Sequence, residues 1–95
     1  MQKIRWYVLV SGRVQDVGFR FFSRCLALLG GLTGWVRNRP DGRVELEIQG
    51  PQDRVNTFLR RMKKGTRRVQ VETVETEPRE TLPNEKHFIV RYDDI

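Results

Sequence analysis

Apolar and polar positions alternate with period two near the start of the chain. Ile4, Trp6, Val8 and Val10 fall on one side, and Arg5, Tyr7, Leu9 and Ser11 on the other. That pattern predicts a strand with some apolar character on its second face. At Phe19 the period changes. Phe19, Phe22, Leu26 and Leu29 recur at helical spacing, with Phe21, Cys25 and Leu28 as a second stripe beside them. Ser23, Arg24 and Ala27 are left as outward positions, so this helix is expected to sit deeply on something flat. Gly30-Gly31 ends it, because glycine accepts the left-handed conformation common at helix C-termini. Leu32 to Asn38 and Arg43 to Gly50 read as a hairpin, with turn chemistry in Pro40-Asp41-Gly42. Val44, Leu46 and Ile48 face one way; Arg43, Glu45, Glu47 and Gln49 face the other, where charges are expected to meet water. Pro51 suits the first position of a second helix. Val55, Phe58, Leu59 and Met62 give that helix an apolar face up to Gly65. Val69, Val71 and Thr73 begin a strand running towards Glu77, before Pro78. Arg79 to Lys86 is a polar loop, and His87 to Tyr92 a last short strand.

The order is β-α-β-β-α-β plus a short C-terminal strand. Two strand–helix units around a hairpin predict an α+β class, the ferredoxin-like sandwich: an antiparallel sheet with both helices on one face. The 95 residues are expected to form a single domain, 1–95, and 38% hydrophobic residues suffice for a modest core. No apolar run is long enough for a signal peptide or a membrane span. The lone cysteine, Cys25, excludes an internal disulfide framework, so a cytoplasmic location is expected. Net charge is +6, which favours anionic partners. The acids Glu72, Glu75, Glu77, Glu80, Glu85, Asp93 and Asp94 crowd the last third, leaving the excess positive charge in the first two thirds. Arg60-Arg61-Met62-Lys63-Lys64 falls at a helix end, where cations complement the dipole and are usually solvated.

The chemistry concentrates in Gly12-Arg13-Val14-Gln15-Asp16-Val17-Gly18-Phe19-Arg20. A loop between a strand and a helix aims backbone N–H groups into one space, at the positive end of a helix dipole. Arg20 adds a full cation there, which disfavours the helix by roughly 0.3–1 kcal/mol until an anion binds. A guanidinium and several N–H donors converging there suit a bound anion.

Gly12-Arg13-Val14-Gln15-x-Val17-Gly18-Phe19-Arg20, followed by Gly34-Trp35-Val36-Arg37-Asn38-x-x-Asp41-Gly42-x-Val44-Glu45, resembles both signature segments of the acylphosphatase family. The spacing between them also matches. The resemblance extends through Gly50-Pro51 and Phe88-Ile89-Val90-Arg91, so it covers nearly the whole chain. It implies metal-independent hydrolysis of the carboxyl–phosphate bond of a small acyl phosphate, giving carboxylate and inorganic phosphate. It assigns Arg20 to the phosphate, Asn38 to the attacking water, and the backbone of Gln15, Asp16, Val17, Gly18 and Phe19 to the phosphate cradle. No cofactor or metal is implied, and a monomer is expected.

One position departs from the family pattern: Asp16 stands where glycine is usual. A positive φ there would strain a non-glycine residue. Its carboxylate would repel the substrate or occupy Arg20, or else simply face solvent. The alternative function is therefore a non-catalytic anion-binding or regulatory module with a weakened cradle. Nucleic-acid binding is not expected. RNA-recognition sandwiches show aromatic residues on the open sheet face, whereas the third strand here reads Arg43-Val44-Glu45-Leu46-Glu47-Ile48. His87 is expected on a strand surface and Cys25 in apolar packing. Trp6 and Trp35 fit the sheet core, Trp35 with the alternative of packing near the site.

Overall fold

A computed structural model describes residues 2–92; Asp93 and Asp94, counted among the C-terminal acids, lie outside the described residues. The elements are β1 (Lys3–Arg13), α1 (Phe19–Gly30), β2 (Thr33–Asn38), β3 (Val44–Pro51), α2 (Gln52–Lys64), β4 (Gln70–Arg79) and β5 (Phe88–Val90). The sheet order is β4-β1-β3-β2-β5. Its first four strands pair antiparallel, as expected, but β5 lies parallel to β2, so the sheet is mixed. Residues 80–87 carry the chain from β4 at one sheet edge to β5 at the other.

The helices cover one face. Val8, Val10, Val36, Val44, Leu46 and Ile48 meet Phe19 and Ala27 of α1 and Val55, Phe58 and Met62 of α2 in the buried core. The buried face of α1 differs from the one its periodicity suggested. Ser23 and Ala27 are fully buried with Phe19, whereas Phe21, Leu28 and Leu29 are exposed. Positions 19, 23 and 27 form one stripe, and small side chains at two of them let the helix approach the sheet closely. The Ser23 hydroxyl is satisfied by donating to the Arg20 carbonyl at 3.0 Å. Pro51 ends β3 as the residue before α2 and is not its first helical residue. Strand β4 runs on through Pro78, which an edge strand tolerates.

The other sheet face carries buried charge where the alternation suggested solvated charge. Arg5, only 3% exposed, donates to Glu47 at 2.5 Å, to Gln49 at 3.1 Å and to Glu85 at 2.7 Å. Gln49 also exchanges hydrogen bonds with the Leu82 backbone at 2.9 and 2.8 Å. The crossover is thus strapped over the sheet. Further along, buried Glu45 accepts from the Tyr7 hydroxyl at 2.6 Å, from Arg39 at 3.3 Å and from Arg37. Burial pushes the Glu45 carboxyl up, but the hydrogen bonds from Tyr7 and Arg37 outweigh it and hold the pKa below its ordinary value. Trp35 is half-buried on this face, outside the core, with the Arg37 and Arg91 guanidinia 5.4 and 5.1 Å from its ring. Tyr7 is tied into the ion network through Glu45, with the Arg79 guanidinium 4.8 Å from its ring.

Candidate active site

The end of β1 is bent before the loop begins. Pairing with β4 slips between Ser11 and Gly12, and Gly12 has φ 127°. A side chain at Gly12 would run into the Gln70 carbonyl, so only glycine fits this bulge. Beyond it, Val14 is buried and Val17 packs against the core, which anchors the loop at two points. Gln15 supplies a third tie that its type alone did not reveal. Its amide donates to the carbonyls of Arg39 and Arg43, at 2.7 and 2.8 Å. The loop is thereby docked on the hairpin turn beyond Asn38. That turn is stiffened by Asp41, which accepts from the Arg43 backbone at 3.0 Å and from its guanidinium at 2.6 Å. These bonds hold the Asp41 carboxyl well below the usual carboxylate range.

The helix that follows starts without a cap. Gly18 precedes it in the left-handed region, φ 80°, with no side-chain cap and no acid in the first turn. The orphan N–H groups of a helix start normally find such partners. Here the first turn carries Arg20 instead. Its Nη1 donates to the Arg91 carbonyl at 3.3 Å, and its guanidinium lies 4.7 Å from the centre of the exposed Tyr92 ring. The C-terminal end of β5 therefore holds the cation in place. Tyr92 and its contact with Arg20 had no signal in the local sequence pattern, because the parallel placement of β5 creates it.

Val14, Asp16, Gly18, Phe19, Arg20, Phe21, Asn38 and Tyr92 line one cleft of about 190 Å³. The two residues assigned opposite roles, Arg20 and Asn38, share it. Asn38 is 9% exposed, and among the described residues its side-chain amide makes no hydrogen bond. No buried side-chain polar atom among the described residues is unsatisfied, so the amide keeps some access to solvent; Asn38 lines this cleft and also a groove formed with Arg37, Arg39, Pro40, Asp41 and Glu45. A larger groove between the helices, lined by Leu26, Leu29, Asp53, Arg54, Phe58 and Arg61 among others, also holds guanidinium groups but neither Asn38 nor the start of α1. Exposed His87 and half-buried Cys25 line neither space.

Asp16 lies on the cleft wall, exposed, with φ 61°. The conditional strain is therefore present, in the region that Asp tolerates better than most residues. Asp16→Gly is expected to bind phosphate roughly twofold to fivefold more tightly in low salt, with a smaller gain in high salt as the repulsion is screened. Turnover should rise with it. Stability is set by two opposed terms, relief of strain against glycine's freedom in the unfolded chain. Phosphate inhibition of both forms at two ionic strengths measures the effect, and equal constants would show that the carboxylate does not reach the phosphate.

The family model described as Acylphosphatase matches residues 6–90. The chain is 46% identical over 88 residues to the acylphosphatase of Geobacillus thermodenitrificans, covering 93% of this chain and 94% of that one. It is 48% identical over 91 residues to the acylphosphatase of Caldivirga maquilingensis, covering 95% and 96%. The crystal structure of acylphosphatase from Bacillus subtilis superposes with a TM-score of 0.88 at 35% identity, over 94% of this chain and 99% of that one. A likeness this complete, in sequence and in fold, places the chain in the acylphosphatase family.

Proposed function

We propose that the Arg20 cleft is where this acylphosphatase hydrolyses the carboxyl–phosphate bond of small acyl phosphates to carboxylate and inorganic phosphate. One observation carries the assignment. An uncapped helix start, its arginine and an asparagine with an unspent amide line the same small cleft.

In this reading the phosphoryl oxygens take the guanidinium of Arg20 and the N–H groups of Gln15 to Phe19. Neutralising them removes the main barrier, repulsion between an anionic phosphoryl group and its nucleophile. Asn38 holds a water against phosphorus through its carbonyl and amide groups. The water oxygen bonds to phosphorus as the bond from phosphorus to the acyl oxygen breaks, and the electron pair leaves with the carboxylate. That leaving group is already stable as an anion, so no strong general acid is required. The water proton passes to a phosphate oxygen. Gln15 acts behind the scene, keeping the cradle in register with the Asn38 strand.

The remaining assignments belong to the same proposal. The chain works as one domain, residues 1–95, as a monomer in the cytoplasm, without a cofactor. No described helix is long and apolar enough to cross a membrane. Nucleic acid is not a partner, since Glu45, Glu47 and Glu85 occupy the open sheet face with their arginines. The family assignment supports the enzyme and not a non-catalytic module.

The direct test is phosphate release from acetyl phosphate by the purified protein. Activity is expected, competitively inhibited by inorganic phosphate and unchanged by EDTA, because arginine and backbone N–H groups supply the positive charge. Among the described residues no group of three metal-binding side chains comes together. Absence of turnover, or a metal requirement that survives controls, would reject this mechanism.

A further inference from the structure

Asn38 is the last residue of β2, and its amide has no hydrogen-bond partner among the described residues. Its place is therefore set through the backbone, by the residues on either side. Both neighbours are arginines, and both reach the same carboxylate. Arg37 donates to one oxygen of Glu45, and Arg39 donates to the other at 3.3 Å. The Tyr7 hydroxyl donates to that second oxygen at 2.6 Å. Glu45 stands directly across the hairpin from Arg37, as Val44 does from Asn38. Strand alternation sends Asn38 to the face opposite Arg37, so the carboxylate holds both flanks of Asn38 without bonding to its amide.

A buried carboxylate is a poor device for stability alone. Glu45 is only 5% exposed, and a buried ion pair often contributes no more than apolar side chains of the same volume. The best-attested use of such a group is to fix registry. Glu47, two residues along on the same face, has a task of its own, since with Gln49 and Glu85 it holds Arg5. The described partners of Glu45 are instead Tyr7 and the two arginines beside Asn38.

We infer that Glu45 is a positioning residue for the hydrolysis: by clamping Arg37 and Arg39 it sets the backbone of Asn38, and with it the point at which the amide presents water. The inference rests on Asn38 being the residue that orients the water. A misplacement of about 1 Å at a reacting group can lower a rate by roughly 10²-fold. A loosened clamp should therefore appear in the chemical step. Phosphate binding should be spared. The carbonyls that hold Gln15 belong to a turn closed by its own bonds, Arg39 N–H to Arg43 at 2.8 Å and Gly42 N–H to Arg39 at 3.2 Å, which do not involve Glu45.

The experiment measures kcat for acetyl phosphate and the inhibition constant of inorganic phosphate. Glu45→Gln should lower kcat by about tenfold and leave the inhibition constant within about twofold. Arg39→Gln keeps the test open if Glu45→Gln does not fold. That side chain is a third exposed, and its loss leaves Glu45 bonded to Arg37 and Tyr7. It should lower kcat by about threefold. Glu47→Gln breaks a comparable pair away from Asn38 and should leave kcat within about twofold. Glu45→Gln and Arg39→Gln are then repeated in the Asn38→Ala background. Each should change kcat there by less than about twofold, because the group they place is gone. An equal fall in both backgrounds overturns the positioning role. So does a phosphate constant that weakens in step with kcat, or a Glu47→Gln enzyme as slow as Glu45→Gln. Wild-type turnover by Asn38→Ala itself would be a separate failure, of the reading on which the inference rests, and would reject both.

Discussion

Arg20→Ala is expected to lower kcat/KM for acetyl phosphate by on the order of 10³-fold or more, and to abolish competitive inhibition by phosphate. The side chain is the cleft's full positive charge at the helix start, and the dipole and N–H groups cannot replace its forked geometry. Arg20→Lys should recover little, since a point charge makes one contact where the guanidinium makes two. The fold should survive. Among its described contacts Arg20 contributes a 3.3 Å hydrogen bond to Arg91 and an exposed ring contact with Tyr92, together about 1 kcal/mol. Phosphate release, phosphate competition and a thermal melt on one preparation check all three statements. Wild-type hydrolysis would place the chemistry elsewhere.

Asn38→Ala is expected to separate catalysis from binding. Turnover should fall by about 10²- to 10³-fold, while the phosphate inhibition constant moves by less than about threefold. The amide makes no hydrogen bond among the described residues, so removing it leaves no protein partner unsatisfied and melting should hardly change. An inhibition constant that weakened in step with turnover would make Asn38 a phosphate ligand and not the residue that orients water.

Much of this arrangement is readable in the chain because its signals are local. The alternation in β1 and β3, the turn at Pro40 to Gly42 and the glycines around α1 act within a few residues of themselves. The cradle and Arg20 are one continuous segment, and Asn38 lies inside a second recognisable one. What is not readable depends on partners distant in sequence. The stripes of α1 misled because apolar count does not reveal which face lies on the sheet, and that face is set by the small residues Ser23 and Ala27. The carboxylates of β3 look solvated until Arg5 and Tyr7 are placed opposite them on β1. The hand of β5 could not be read from a strand pattern, since periodicity carries no direction. With it went the role of Tyr92.

The parallel strand also gives the site an order in time. Residues 15–20 and 38 are separated in the chain only by α1 and β2. The support for Arg20 comes from much further along. It arrives with Arg91 and Tyr92, delivered by a three-residue strand whose crossover is fastened through Arg5 to Glu85, 80 positions apart. Closing so long a loop is entropically expensive before its contacts are made, and such contacts form late. A chain in which β5 had not yet docked would therefore own the whole phosphate loop, lack only Phe88 from its core and still have no steadied arginine. Catalytic competence becomes a readout of the last docking event, and in a Trp35→Phe variant refolding followed by activity should lag refolding followed by the fluorescence of Trp6, since Trp35 itself meets Arg91.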